Sequence, residues 1–270
     1  MSIIIFLVIL SALVIVHELG HFSVAKYFGI RVDEFGLGYP PKAKRLFNWK
    51  GTEFTLNWLP FGGFVKIFGE NSSESTSELE NSLVLSDSFE NKNRGIQAGV
   101  LLAGVVGNFL FAWLLIFVVL VSGLSAPLTA VQAGAVSPLP AVAESLRIST
   151  VLTVDTTKAL GTFFAQAVVG KPDLSNVTGP VGLVGLVGDV TGMGLGYLLT
   201  FTALISINLC IINLLPFPAL DGGRLLFVVI EAVTRRKIPA IIFNSLNTAG
   251  FAILIFLMFL VTIQDVRNIL

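Results

Sequence analysis

The chain is poor in the residues that most often carry protein chemistry. It has one cysteine, Cys210, set in an apolar stretch. An internal disulfide and a cysteine-rich metal site are therefore both excluded, and the thiol reads as a small packed residue. It has two histidines in 270 residues, His17 and His21. Charge is scarce as well: Asp, Glu, Lys and Arg make up 13% of the chain, about half the share found in a typical soluble domain. Acidic and basic residues number 17 each, and without a basic excess the composition argues against nucleic acid as a partner. Apolar residues fill the space instead, at 54% of the chain. The mean hydropathy of +0.86 puts the sequence in the membrane class.

Four segments, near 3–24, 97–122, 196–217 and 246–264, are long and apolar enough to cross a bilayer, which takes about 20 residues. The first has no Lys or Arg before its apolar run, and basic residues follow it, so it reads as an anchored helix rather than a cleaved signal. The connection between the first two spans carries nine Lys and Arg residues, the next connection three and the last four. The positive-inside rule then predicts that the first and third connections face the cytoplasm, with both termini outside. The fold class expected is an α-helical membrane protein of about four transmembrane helices with a small membrane-associated β-hairpin or sheet.

The two histidines fall at the end of the first apolar run, in VIVHELGH. Ionisable groups inside a membrane helix are costly and mark function. His17 and His21 are four apart, so on a helix they share one face and can reach one ion. Glu18 sits beside them, where it can take a proton from water at the metal. This is the His-Glu-x-x-His pattern of zinc hydrolases. A catalytic zinc takes three protein ligands, and no third histidine exists. The third ligand must then be Asp or Glu, or rarely an amide. Asp221 stands out in NLLPFPALDGGRLLF, after Pro216 and Pro218 and before Gly222 and Gly223; prolines and glycines there predict a broken backbone that needs protein or water around it. Asp189, in GLVGLVGDVTG, is the rival, although its glycine-rich setting reads as a loop or a broken, re-entrant segment.

These motifs resemble those of the site-2 protease family. The resemblance rests on His17-Glu18-Leu19-Gly20-His21, on Asn208 with the run Asn213 to Gly223, and on Gly179-Pro180-Val181-Gly182. The stretches GTEFTLNWLPFGGFVKIFGE and LLAGVVGNFLFAWLL are similar to the bacterial regulator-of-sigma-E branch. The resemblance implies an integral protein of a bacterial inner or cell membrane that uses Zn2+ to cut peptide bonds within or next to transmembrane segments of other proteins. It implies His17, His21 and Asp221 as zinc ligands and Glu18 as the base. Asn208 and Asn213 would fall near the site, where amides can hold substrate backbone or an oxyanion. That branch usually carries PDZ domains between its second and third spans. Here 123–178 is too short for one, so the chain reads as a single metalloprotease domain over 1–270.

Other stretches add detail. In 43–68, Phe54, Leu56 and Trp58 alternate with Thr55 and Asn57, a strand pattern. Lys50-Gly51 predicts a hairpin turn and Gly62-Gly63 a break. Such a strand, here Phe54, Thr55, Leu56 and Asn57, could capture an unwound substrate by strand addition. Asn108, an amide within the second span, needs a partner and reads as a brace. Residues 156–170 read as an interfacial amphipathic helix, and 71–93 as a mobile cytoplasmic loop. The glycine-rich 179–196 lacks the Lys-Ser/Thr of a phosphate loop. Two further readings stay open: a membrane protein that binds metal and substrate without cutting, and a transporter with a midplane polar site.

Overall fold

The computed structural model describes residues 1–70, 87–126, 135–169 and 178–269. Most of the loop expected at 71–93 lies outside them. Among the described residues, four helices are long and apolar enough to cross a membrane: α1 (Ser2–Tyr27), α2 (Arg94–Ser122), α5 (Leu195–Leu214) and α7, apolar over Ala240–Arg267 within the helix Ala240–Ile269. Between them lie α3 (Pro138–Val168), α4 (Pro180–Met193) and α6 (Asp221–Thr234). The strands β1 (Val32–Trp49) and β2 (Thr52–Ile67) form one antiparallel pair. The helical membrane class and the four spans expected from composition are therefore present.

The chain divides into two compact units. The first comprises Leu7–Gly107 and Asn213–Phe251. In it α1 stops at a Schellman turn: Gly29 adopts φ +65°, its N–H donates to the Lys26 carbonyl, and the Ile30 N–H donates to the Ala25 carbonyl. A residue with a Cβ is disfavoured at that left-handed position. The hairpin turns at Lys50 and Gly51, both with positive φ, 49° and 79°, as the tight I′ turn requires. Its register has two parts. Residues 42–49 pair with 52–57, whereas Phe35, Gly36 and Leu37 each have partners on both sides, in 54–56 and in 63–65. β1 thus begins well before residue 43, and β2 runs through Gly62-Gly63 instead of breaking there. Gly62 bends the strand at φ +76° without ending it. An aromatic stack, Phe47 on Phe54 at 4.5 Å and Phe54 on Phe35 at 5.2 Å, joins the sheet to a core of Phe22, Ile30, Val32, Val100, Leu101 and Val228. Asn93 caps α2 by accepting the Gly95 N–H at 2.8 Å. From the first turn of α2, Gln97 Nε2 donates to the carbonyls of Phe89, Glu90 and Lys92 and pins the 3₁₀ turn Phe89–Asn91.

The second unit comprises Met1–Phe6, Asn108–Ile212 and Ala252–Leu270. Its core joins Ala112, Ile116, Leu120, Ala141, Ile148, Ala203, Ile207 and Ile211. Of the stretch 156–170 expected as an interfacial helix, residue 170 lies outside the described residues and 156–168 belong to the longer α3. Its Ser and Thr hydroxyls donate to carbonyls three or four residues back, as at Ser149, Thr150, Thr153 and Thr157, and so need no partner off the helix. The glycine-rich run around Asp189 is not a loop: it is α4, with Pro180 at its start, where a missing N–H costs nothing. The other N-terminal N–H groups of α4 find Asp265 of α7, which accepts from Gly179 at 3.1 Å and Gly182 at 2.8 Å. Asn108 is fully buried, and its main-chain carbonyl accepts the Ser206 hydroxyl at 2.8 Å. Cys210 is buried, as expected of a packing residue.

Candidate metal centre

His17 and His21 are both buried on α1, one turn apart. Their Nε2 atoms lie 3.1 Å apart and their rings stand nearly edge to face. α2 passes close enough to hold them. The His21 Nδ1–H donates to the Val100 carbonyl at 2.8 Å, which leaves the Nε2 lone pair of the neutral ring free to bind a metal. The approach of the helices depends on small residues. A Cβ on Gly20 would sit 2.2 Å from the Ala103 oxygen, and one on Gly104 would sit 2.4 Å from His21 Nε2 and 2.8 Å from His17 Nδ1.

The third group arrives from the broken segment. α5 ends at Leu214. Ala219 then takes a positive φ of 74°, and its N–H donates to Asn247 Oδ1 at 3.1 Å. The chain re-enters a helix at Asp221. Gly222 and Gly223 let that helix start directly against the backbone of residues 214–217, where added Cβ atoms would lie 2.2 Å from the carbonyl oxygens of Leu215 and Phe217. Asp221 Oδ2 then stands 2.9 Å from His17 Nε2 and 3.2 Å from His21 Nε2. That oxygen is buried and faces the two ring nitrogens.

Three metal-binding atoms thus converge. Their separations of 2.9, 3.1 and 3.2 Å are near the roughly 3.3 Å edge of a tetrahedron whose ligands sit about 2.0 Å from a zinc ion. A neutral His21 ring that donates from Nδ1 turns its Nε2 lone pair toward Asp221 Oδ2, a contact that becomes attractive when a cation or a proton lies between them. The donor set fits zinc: two imidazoles and one carboxylate, with a fourth position for substrate. Glu18 is half-buried beside them and lies within electrostatic range of His21, His17, Asp221 and Glu70.

The other expected site residues lie differently. Asn213 is half-buried and Asn208 is exposed. Asp189 is exposed and does not join the metal-ligand group. Thr55 is buried and donates to Glu34 Oε1 at 2.6 Å, and Asn57 is buried and donates to the Gly38 carbonyl at 3.0 Å. Phe54 is part of the aromatic stack, and only Leu56 of the four is exposed. Phe54, Thr55 and Leu56 are each paired on both sides, so this stretch has no open edge for an added strand. Among the described residues, the outer strands of the sheet are 42–49 and 63–67. Sequence reading missed the Val100 carbonyl, Gly104 and Asn247. The AGVVGN spacing of small residues in the second span was the available signal for Gly104; a backbone carbonyl leaves none.

The profile of peptidase family M50 matches residues 5–257. The chain belongs to peptidase family M50. With the site-2 protease resemblance in the motifs and the apolar spans, the family makes it an integral membrane zinc metalloprotease that acts on membrane proteins. Similar full-length relatives include a candidate zinc metalloprotease of Clostridium perfringens, 34% identical over 98% of both chains. One of Campylobacter jejuni is 29% identical over 97% of this chain and 92% of its own. Zinc metalloprotease RasP of Geobacillus kaustophilus is 26% identical over 99% of this chain and 98% of its own. The alignment to RasP runs over 418 positions against 270 residues here, so that M50 relative carries large insertions with no counterpart in this chain.

Proposed function

We propose that His17, His21 and Asp221 hold the zinc and that Glu18 is the general base of an endopeptidase cutting within or next to transmembrane segments. The observation that carries this reading is the convergence of His17 Nε2, His21 Nε2 and Asp221 Oδ2 with Glu18 next to them. Zinc, when bound, supplies Lewis acidity to a water and to the scissile carbonyl. Glu18 takes the proton from the attacking water and returns it to the leaving amine. The Val100 carbonyl keeps the His21 ring turned toward the ion. The half-buried Asn213 is suited to steady substrate backbone. An unwound substrate segment adds to an outer strand of the sheet. The 63–67 strand suits this role, because Gly63 approaches Ile15 of α1, the helix that carries both histidines. The charge distribution of the connections supports termini outside and a site toward the cytoplasm, in a single domain without a PDZ module.

The test uses purified protein in proteoliposomes with a model transmembrane substrate. Glu18→Gln should retain about one zinc per chain, as a base and not a ligand would, and lose cleavage by a factor of about 100 or more. Zinc loss in Glu18→Gln equal to that in His17→Ala would reassign Glu18 as a ligand. Cleavage by Glu18→Gln at the wild-type rate would remove the proposed base.

A further inference from the structure

The N-terminal turn of α6 carries Asp221, and the helix meets the core one turn on, through Leu225 and Val228. Gly222 and Gly223 set its closeness to residues 214–217, but glycines have no side chain to interlock, so at Asp221 itself the roll of the helix is set by contacts further along it. One turn after Asp221, Arg224 is ion-paired with Glu70, which follows β2. Their side chains are 26% and 16% exposed, so the pair is shielded from most of the screening that weakens surface pairs. Two turns further along the same face, Glu231 pairs with Arg94 of α2 at 2.6 Å. These four residues line a cavity of about 240 Å³. Along this face α6 is therefore held across a cavity by charge, and the link nearest to Asp221 is Arg224–Glu70. Glu70 also lies within electrostatic range of Glu18, so one end of the link belongs to the surroundings of the base.

We propose that Glu70 and Arg224 are a positioning pair that fixes the roll of α6 and so aims Asp221 at the two histidines. The proposal rests on Asp221 being a zinc ligand. An outer contact that orients a ligand typically affects metal affinity by 10- to 100-fold. The pair is expected to act as one unit, because either partner alone leaves the first turn of α6 without this link.

Zinc affinity of the full chain in detergent, by competition with a chromophoric chelator, tests this beside thermal unfolding of metal-free protein. Glu70→Gln and Arg224→Gln should each weaken zinc binding about tenfold, and the double variant should be no worse than either. Arg224→Lys, which keeps a cation but not the planar fork, should recover part of the loss. Glu231→Gln, which cuts the more distant link, should lower stability while leaving zinc affinity within about twofold. Wild-type affinity in the double variant would mean that only charge balance matters and would overturn the proposal. So would equal zinc loss in Glu231→Gln, which would signal general loosening. Asp221→Ala separates the two levels. If it binds zinc as wild type does, the ligand reading falls and the pair's role falls with it. If it binds weakly while all pair variants bind normally, only the positioning pair is refuted.

Discussion

At the residue scale, the site depends as much on an absence as on its ligands. Gly104 has no side chain where a Cβ would stand 2.4 Å from His21 Nε2, far inside van der Waals contact. Gly104→Ala should therefore displace a histidine or push the helices apart. The expected outcome is zinc affinity reduced at least tenfold with secondary structure kept, read by chelator competition and circular dichroism; unchanged affinity would mean that the helices separate at no cost to the site. The histidines were legible in the sequence because the i, i+4 spacing of a helix places them on one face without any tertiary information. Asp221 was legible more weakly, through the proline and glycine that surround it. Gly104 and the Val100 carbonyl were not, since their roles exist only once α1 and α2 pack. The strand residues Phe54, Thr55 and Leu56 show the opposite error: alternation reported a strand correctly but could not say that they are paired on both sides.

At the element scale, α4 begins with a run, Gly-Pro-Val-Gly, that has no side-chain cap of its own. The cap comes from Asp265, 86 and 83 residues away in sequence from the two N–H donors. A buried carboxylate accepting two N–H groups at a helix N-terminus combines charge-assisted hydrogen bonds with the favourable end of the helix dipole. Asp265→Ala should cost about 2–4 kcal/mol, because two donors lose their partner and the N-terminus its counter-charge. Asp265→Asn keeps one acceptor oxygen and should cost roughly half as much. Thermal unfolding in detergent checks both, and equal stability of all three proteins would show that water satisfies α4 instead. Helix α4 itself was misread from sequence because glycine argues against helices on propensity alone. Packing and a remote cap outweigh that local preference here, and neither is written near residues 180–193.

At the scale of the whole molecule, the spans were the most legible feature, since length and apolarity alone satisfy the demand that backbone groups in lipid bond internally. Their sidedness is a separate question, governed by charge. The connection between α1 and α2 contains the basic hairpin, where Lys42 pairs with Glu34 and Glu53, and Arg45 with Glu53. Lys44 is exposed there, and Leu139 is exposed near the start of α3 in the connection that carries few cations. If the positive-inside count sets the topology, these two residues lie on opposite faces of the membrane. In a Cys210→Ala background, Lys44→Cys should react with a membrane-impermeant thiol reagent in inside-out vesicles, and Leu139→Cys in right-side-out ones. The reverse pattern would invert the protein and place the zinc site toward the outer face. Labelling of both positions from one face would mean that α2 does not cross the membrane, and would undo the four-span topology on which the cytoplasmic placement of the site rests.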